Sequence, residues 1–95
     1  MHNKAEMIDI IYKCAEELNR QLPEEGKLIL EESTAIIGVN SPLDSLGLVI
    51  FILSIEENVT SLGINCNILD VLTQSDDPPF VTIEDMSLWL IDQSR

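Results

Sequence analysis

The stretch Asp44-Ser45-Leu46-Gly47-Leu48-Val49-Ile50-Phe51-Ile52-Leu53-Ser54-Ile55 places an acid and a serine directly ahead of a long apolar run. Ser41-Pro42 marks a loop just before it, and Glu56-Glu57 closes it. Leu48, Phe51, Ile52 and Ile55 recur at spacings of three and four, which predicts a helix over 44–59 with those side chains in the core. Val49, Ile50 and Leu53 make the opposite side apolar too. A helix that is hydrophobic nearly all round is buried on two sides or carries a binding surface, and burial on two sides is difficult to arrange in a small chain. The dipeptide at its start has two readings. Asp44 can cap the first-turn N–H groups and nothing more, or the junction can hold up the Ser45 hydroxyl for chemistry.

Upstream, Met7, Ile8, Ile11, Cys14, Ala15, Leu18 and Leu22 fall at helical spacing over residues 5–22, with Glu16, Glu17, Asn19 and Arg20 on the other side. Pro23 ends that helix because it cannot continue the hydrogen-bond ladder. Residues 23–43 are broken by Gly26, Gly38 and Pro42, and the apolar patches Leu28–Leu30 and Ala35–Val39 are too short for helices. They read as an ordered loop with a helical turn near Leu28 to Glu32; two short strands are the alternative. Loops of this length are uncommon in compact domains unless functional.

Downstream, Gly63 marks a break, and Ile68, Leu69 and Leu72 predict a short third helix over 66–73. Residues 74–80, with Asp76-Asp77 and Pro78-Pro79, read as a loop. Thr82-x-x-Asp85 is a capping box with Asp in the usual Glu or Gln place. It opens a last helix from Ile83 to about Gln93 that buries Ile83, Met86, Trp89 and Leu90. The expected fold is all-α: a single domain over 1–95, a small four-helix bundle with a long loop between helices 1 and 2 and a short third helix.

Ninety-five residues, 45% of them apolar, are enough for one modest core without a metal or disulfide scaffold. Only 4% are aromatic, so Ile, Leu and Val must fill that core. Five basic residues against seventeen acidic ones leave a net charge of −12. Such a surface repels phosphate backbones, which argues against nucleic acid, and steers toward basic faces of partner proteins. The acids come largely in pairs that read as solvated helix ends and loops; no D-x-D-x-D-G calcium loop is present. Cys14 and Cys66 have no C-x-x-C spacing, and with His2 they supply too few ligands for zinc. Cys14 lies on the apolar stripe and reads as a buried free thiol. The longest apolar run is too short to span a bilayer and the N-terminus lacks a signal-peptide core. The chain is expected to be cytoplasmic and monomeric, with no membrane insertion.

Helix order, size, acidity and the position of Ser45 together resemble an acyl carrier protein. The likeness covers roughly residues 4–93. Its most specific part is Leu43-Asp44-Ser45-Leu46-Gly47-Leu48-Val49 with Glu56-Glu57 closing the same helix; Pro79-Phe80-Val81-Thr82-Ile83 leading into the last helix also fits. The resemblance implies that a phosphopantetheinyl transferase moves 4′-phosphopantetheine from coenzyme A to the hydroxyl of Ser45. Cargo is then held on the arm as a thioester and shuttled between enzymes. It implies a supporting role for Asp44 in transferase recognition and metal coordination, and an apolar contact at Leu46. Physical reasoning agrees, since a helix N-terminus leaves unpaired N–H groups and positive partial charge that suit a phosphodiester.

The chain departs from the family after the serine. Carriers for fatty acid synthesis bear acids along the exposed face of this helix, where this chain has Gly47 and Ile50. The expected partner-binding face is Leu46, Gly47, Val49, Ile50 and Leu53, with charge deferred to Glu56 and Glu57, so contact should be more apolar than salt-bridged. That points to a specialised carrier served by a dedicated acyl-loading ligase or transferase and downstream biosynthetic enzymes, in a lipid, polyketide or secondary pathway; an aminoacyl carrier shares the architecture. The plainer account of Ile50 packs it under the long loop, against Ile36 or Ile37. The competing function is an unmodified helical adaptor that binds through the apolar face of helix 2. An enzyme with Ser45 as nucleophile lacks a base, since His2 is the only histidine, and no G-x-S-x-G elbow exists.

Overall fold

The computed structural model describes residues 3–38, 41–74 and 80–94, with Glu25 and Ser45 described by their backbone alone. Expectations for His2, Val39, Asp76-Asp77 and Pro78-Pro79 fall outside those residues. Four α-helices follow in order: α1 Lys4–Asn19, α2 Ser45–Thr60, α3 Ile68–Gln74 and α4 Ile83–Gln93. The described residues contain no strand, only an isolated antiparallel bridge between Ala35 and Thr82. The all-helical reading, the long α1–α2 connection and the short α3 therefore hold.

α1 starts where the Asn3 side chain accepts the Glu6 N–H, and it buries Met7, Ile8, Ile11, Cys14, Ala15 and Leu18. It is the hub of the fold, packing along both α2 and α4, while α3 rests on α2. α2 contributes Phe51, Ile52, Ile55 and Val59 to the core, and α4 contributes Ile83, Met86 and Leu90. Leu48 and Trp89, both expected in the core, are half-buried at its margin. Trp89 meets the buried Phe80 edge-on, ring centroids 5.3 Å apart, a favourable aromatic geometry.

α1 stops at Asn19, three residues short of the predicted end, and the reason is a side chain. Asn19 Nδ2 donates to the Leu28 carbonyl at 2.9 Å, and the Leu28 N–H donates to Asn19 Oδ1 at 2.8 Å. This two-way clamp draws the chain back across the end of α1 and buries Leu28. It also explains why no helical turn forms over Leu28 to Glu32, where the chain makes only a non-helical turn at Glu31–Thr34. Leu28 has both backbone groups committed to Asn19, so the helical turn falls earlier, as a single 3-10 turn over Glu24–Gly26.

The rest of the loop is stitched to the start of α4. Ile36 N–H donates to the Val81 carbonyl at 2.7 Å, Ile83 N–H to Thr34 at 3.0 Å, and Glu84 N–H to Glu32 at 3.0 Å. Ile36 is buried beneath this seam. The strand alternative survives only as that short bridge. α2 ends at Thr60, and the turn after it closes at Gly63, which adopts φ +85, a conformation natural for glycine. Gly63 N–H closes on Thr60 and Ile64 N–H on Val59, the Schellman pattern, with Val59 and Ile64 both buried.

Candidate functional site

Asp44 is the N-cap of α2, with extended backbone at φ −83 and ψ −178. Its Oδ1 accepts the Gly47 N–H at 2.7 Å, and its carbonyl accepts the Leu48 N–H at 2.9 Å. The approach is set by Ser41 Oγ, which accepts the Leu43 N–H at 3.2 Å. Ser45 is the first residue of α2, and its side chain lies outside the described part of the structure. Leu46 N–H has no acceptor among the described residues. The start of this sixteen-residue helix thus keeps part of its positive end unneutralised. Asp44 is a cap, as one reading of the sequence held.

Of the predicted partner face, four residues are exposed together. Leu46 is 68% exposed, Leu53 48% and Ile50 40%, and Glu57 is exposed as well. Their spacings of four, three and four put them on one stripe of the helix. The other three residues need correction. Gly47 is buried: a Cβ there would meet Asp44 Oδ1 at 3.1 Å and Leu43 Cδ2 at 3.6 Å, so it sits beneath the cap rather than on the face. Val49 is half-buried on the flank of the stripe. Glu56 is half-buried because its Oε1 accepts the Ile68 N–H at 2.7 Å, holding the first residue of α3.

Ile50 is partly exposed at the boundary with α1. It lines a cleft of about 80 Å³ with Ser54 and Phe51 of α2 and Cys14, Glu17, Leu18 and Gln21 of the first helix and the turn after it. Cys14 is a buried free thiol at this cleft, as expected. Burial pushes its pKa up; the Ser54 hydroxyl opposes that shift, and the negative Glu17 and Glu57 reinforce it. Asn58 Nδ2 lies 3.6 Å from its sulfur. Cys66 is half-buried, and burial and then Glu56 raise its thiol pKa. Among the described residues no three His, Cys, Asp or Glu side chains come together as a metal site, and no helix is long and apolar enough to cross a membrane.

One ionic cluster links distant parts of the chain. Lys4 Nζ lies 2.8 Å from Glu32 of the loop and 2.7 Å from Glu84 of α4. The hydrogen bonds that Lys4 donates to Glu32 and Glu84 raise the Lys4 pKa, and Lys4 in turn lowers that of Glu32. Sequence reasoning missed this cluster, the Asn19 clamp and the Glu56 tie to α3. The Glu56 tie had no local signal, because Asn67 already stands as a cap residue at the start of α3. Compared with family models, with curated proteins and with solved structures, the chain matches none.

Proposed function

We propose that the chain is a carrier protein, in which Ser45 accepts a 4′-phosphopantetheine arm from coenzyme A and holds acyl or related intermediates for partner enzymes. The observation that carries this reading is the start of α2: a capped but incompletely closed helix end, with Ser45 as its first residue. The residues present suit such a group. Ser45 would hold it through its hydroxyl, and a phosphodiester is favoured at a helix N-terminus with a spare N–H such as that of Leu46. Asp44 already accepts the Gly47 N–H, which fixes the backbone at the attachment residue. When bound, the arm supplies the thiol on which cargo is held as a thioester. The chain itself performs no catalysis in this reading and is the substrate of a phosphopantetheinyl transferase.

Further support comes from the helix order, with its long α1–α2 connection and short α3, and from the charge of −12, which steers encounter toward basic enzyme faces. A second reading, an unmodified helical adaptor, is favoured by the exposed Leu46, Ile50 and Leu53. The two separate cleanly. The protein is incubated with coenzyme A and a broad-specificity phosphopantetheinyl transferase, and its intact mass is measured. The carrier reading expects the mass of one arm, absent in Ser45→Ala. No increment with several transferases leaves the adaptor.

A further inference from the structure

A second groove, of about 470 Å³, runs between α1 and the long loop, and no residue of α2 lines it. Lys4, Ala5, Ile8, Asp9 and Tyr12 share one stripe of α1 and make its helical wall, and Glu32 makes the loop wall. The Lys4–Glu32 bridge, at 2.8 Å, joins the two walls. Ile8 is buried at its base, Tyr12 is half-buried against the core, and Ala5 is exposed. The volume falls in the range of small-molecule sites, roughly 300–1,000 Å³.

Charge selects what such a groove can hold. Lys4 is the one basic residue lining it, and its ammonium already donates to Glu32 and Glu84. Asp9 is exposed and makes no ion pair or hydrogen bond among the described residues. Glu16, exposed one turn beyond Tyr12, adds a further negative charge. An apolar base therefore meets a rim whose acids outnumber its one base. Such a rim repels an anion. A neutral apolar molecule would cover Asp9 without replacing its water. A metal ion finds no three ligating side chains together among the described residues. A protonated amine on an aliphatic or aromatic body satisfies both parts, because carboxylates accept its N–H groups and a tyrosine ring favours a cation. We infer that this groove binds a small organic amine, its ammonium at Asp9 and Glu32 and its body on Ala5, Ile8 and Tyr12. The site lies beyond the carrier reading and needs neither Ser45 nor the α2 stripe. The Glu32 carbonyl also accepts the Glu84 N–H at 3.0 Å. Occupancy therefore braces the loop between α1 and α4 and raises the melting temperature as the amine concentration rises.

The test uses the full chain at neutral pH with phenethylamine and two probes of similar body, the neutral phenethyl alcohol and the anionic phenylacetate. Chemical shifts at Ala5, Ile8, Asp9, Tyr12 and Glu32 should change and saturate with the amine, in the millimolar range suited to a fragment. The alcohol and the acid should leave them in place. Asp9→Asn should weaken binding roughly two- to fivefold, and Tyr12→Leu, which keeps the apolar base and removes the ring, by a similar factor. Ala5→Leu, at an exposed position where leucine suits a helix, fills the groove and should abolish the response without loss of fold. Ser45→Ala should bind the amine unchanged, so a failed arm transfer and an empty groove are told apart. The inference is overturned by an equal response to the alcohol, by no saturation at millimolar amine, or by shifts spread over the whole acidic surface. Magnesium displacing the amine at equal concentration would also overturn it. So would a lysine-rich peptide filling the groove at far lower concentration than the amine, which would assign the site to a protein partner.

Discussion

α2 and α4 begin with comparable sequence signals, Asp44 three residues ahead of Gly47 and Thr82 three residues ahead of Asp85, yet the two helix starts differ. At α4 the first-turn donors are all used. Ile83 and Glu84 donate to loop carbonyls, Asp85 to Thr82 Oγ1 at 3.1 Å, and the Asp85 carboxylate returns to the Val81 and Thr82 N–H groups. At α2 the cap takes Gly47 alone, and Leu46 N–H has no acceptor among the described residues. A closed helix end is a structural joint. An end left with free N–H groups and exposed apolar neighbours keeps binding capacity in reserve. The difference arises outside the helices, since the long loop presents carbonyl acceptors to one start and only a short polar turn to the other.

The comparison can be broken from the α4 side by removing Ile36. Ile36→Ala deletes a buried side chain at the seam and should cost about 2–5 kcal/mol. Native-state hydrogen exchange should show Ile83 and Glu84 amides losing protection far more than Gly47. Equal loss at both starts would mean that the loop supports them alike. Thr82→Ala removes half of the capping box and should cost about 1–2 kcal/mol in denaturant unfolding. Asp44→Asn sharpens the other side. Asn caps about as well as Asp, so stability should change by no more than about 0.5 kcal/mol. Arm transfer to Ser45 should nevertheless slow by about tenfold or more if the acid serves recognition. Asp44→Asn with unaltered transfer would reduce Asp44 to a cap.

The smallest effect concerns Lys4, which joins α1 to the closed α4 start. Lys4 has its pKa raised in the fold, so its contribution is complete below its ordinary value of 10.5 and is lost as pH climbs through the folded value. Glu32 has its pKa lowered, so its contribution is complete above its ordinary 4.5 and is lost as pH falls through the folded value. The melting difference between wild type and Lys4→Met should therefore be flat between those limits and shrink outside them. Salt should shrink it too, because the cluster is exposed. A difference that is unchanged by salt and by pH would mean that Lys4 acts through packing.

Local features were the most legible. The stripe from Met7 to Leu18, the α4 capping box and the break at Gly63 depend on residues three to five apart, and each formed where the sequence placed it. The stripe from Leu46 to Leu53 was legible as exposed for the same reason. Gly47 was misread because helical position alone does not show that a backbone lies under its own cap. Glu56 was misread because its acceptor role is toward Ile68, twelve residues on. Ile50 was half read: it does face a boundary, but the boundary is with α1.

The sequence by itself determined that the chain is helical, where most helices start and stop, which helical side chains make most of the core, and that the surface is strongly acidic. Those properties follow from periodicity, caps and charge, which act over one or two helical turns. Only the tertiary structure decided which helix start is closed and which is left open, and what Glu56, Lys4 and Asn19 do. Each of those depends on groups far apart in the chain, as with Lys4 and Glu84, eighty residues apart. Such pairs exist only once the core has brought their elements together, and no local pattern records them.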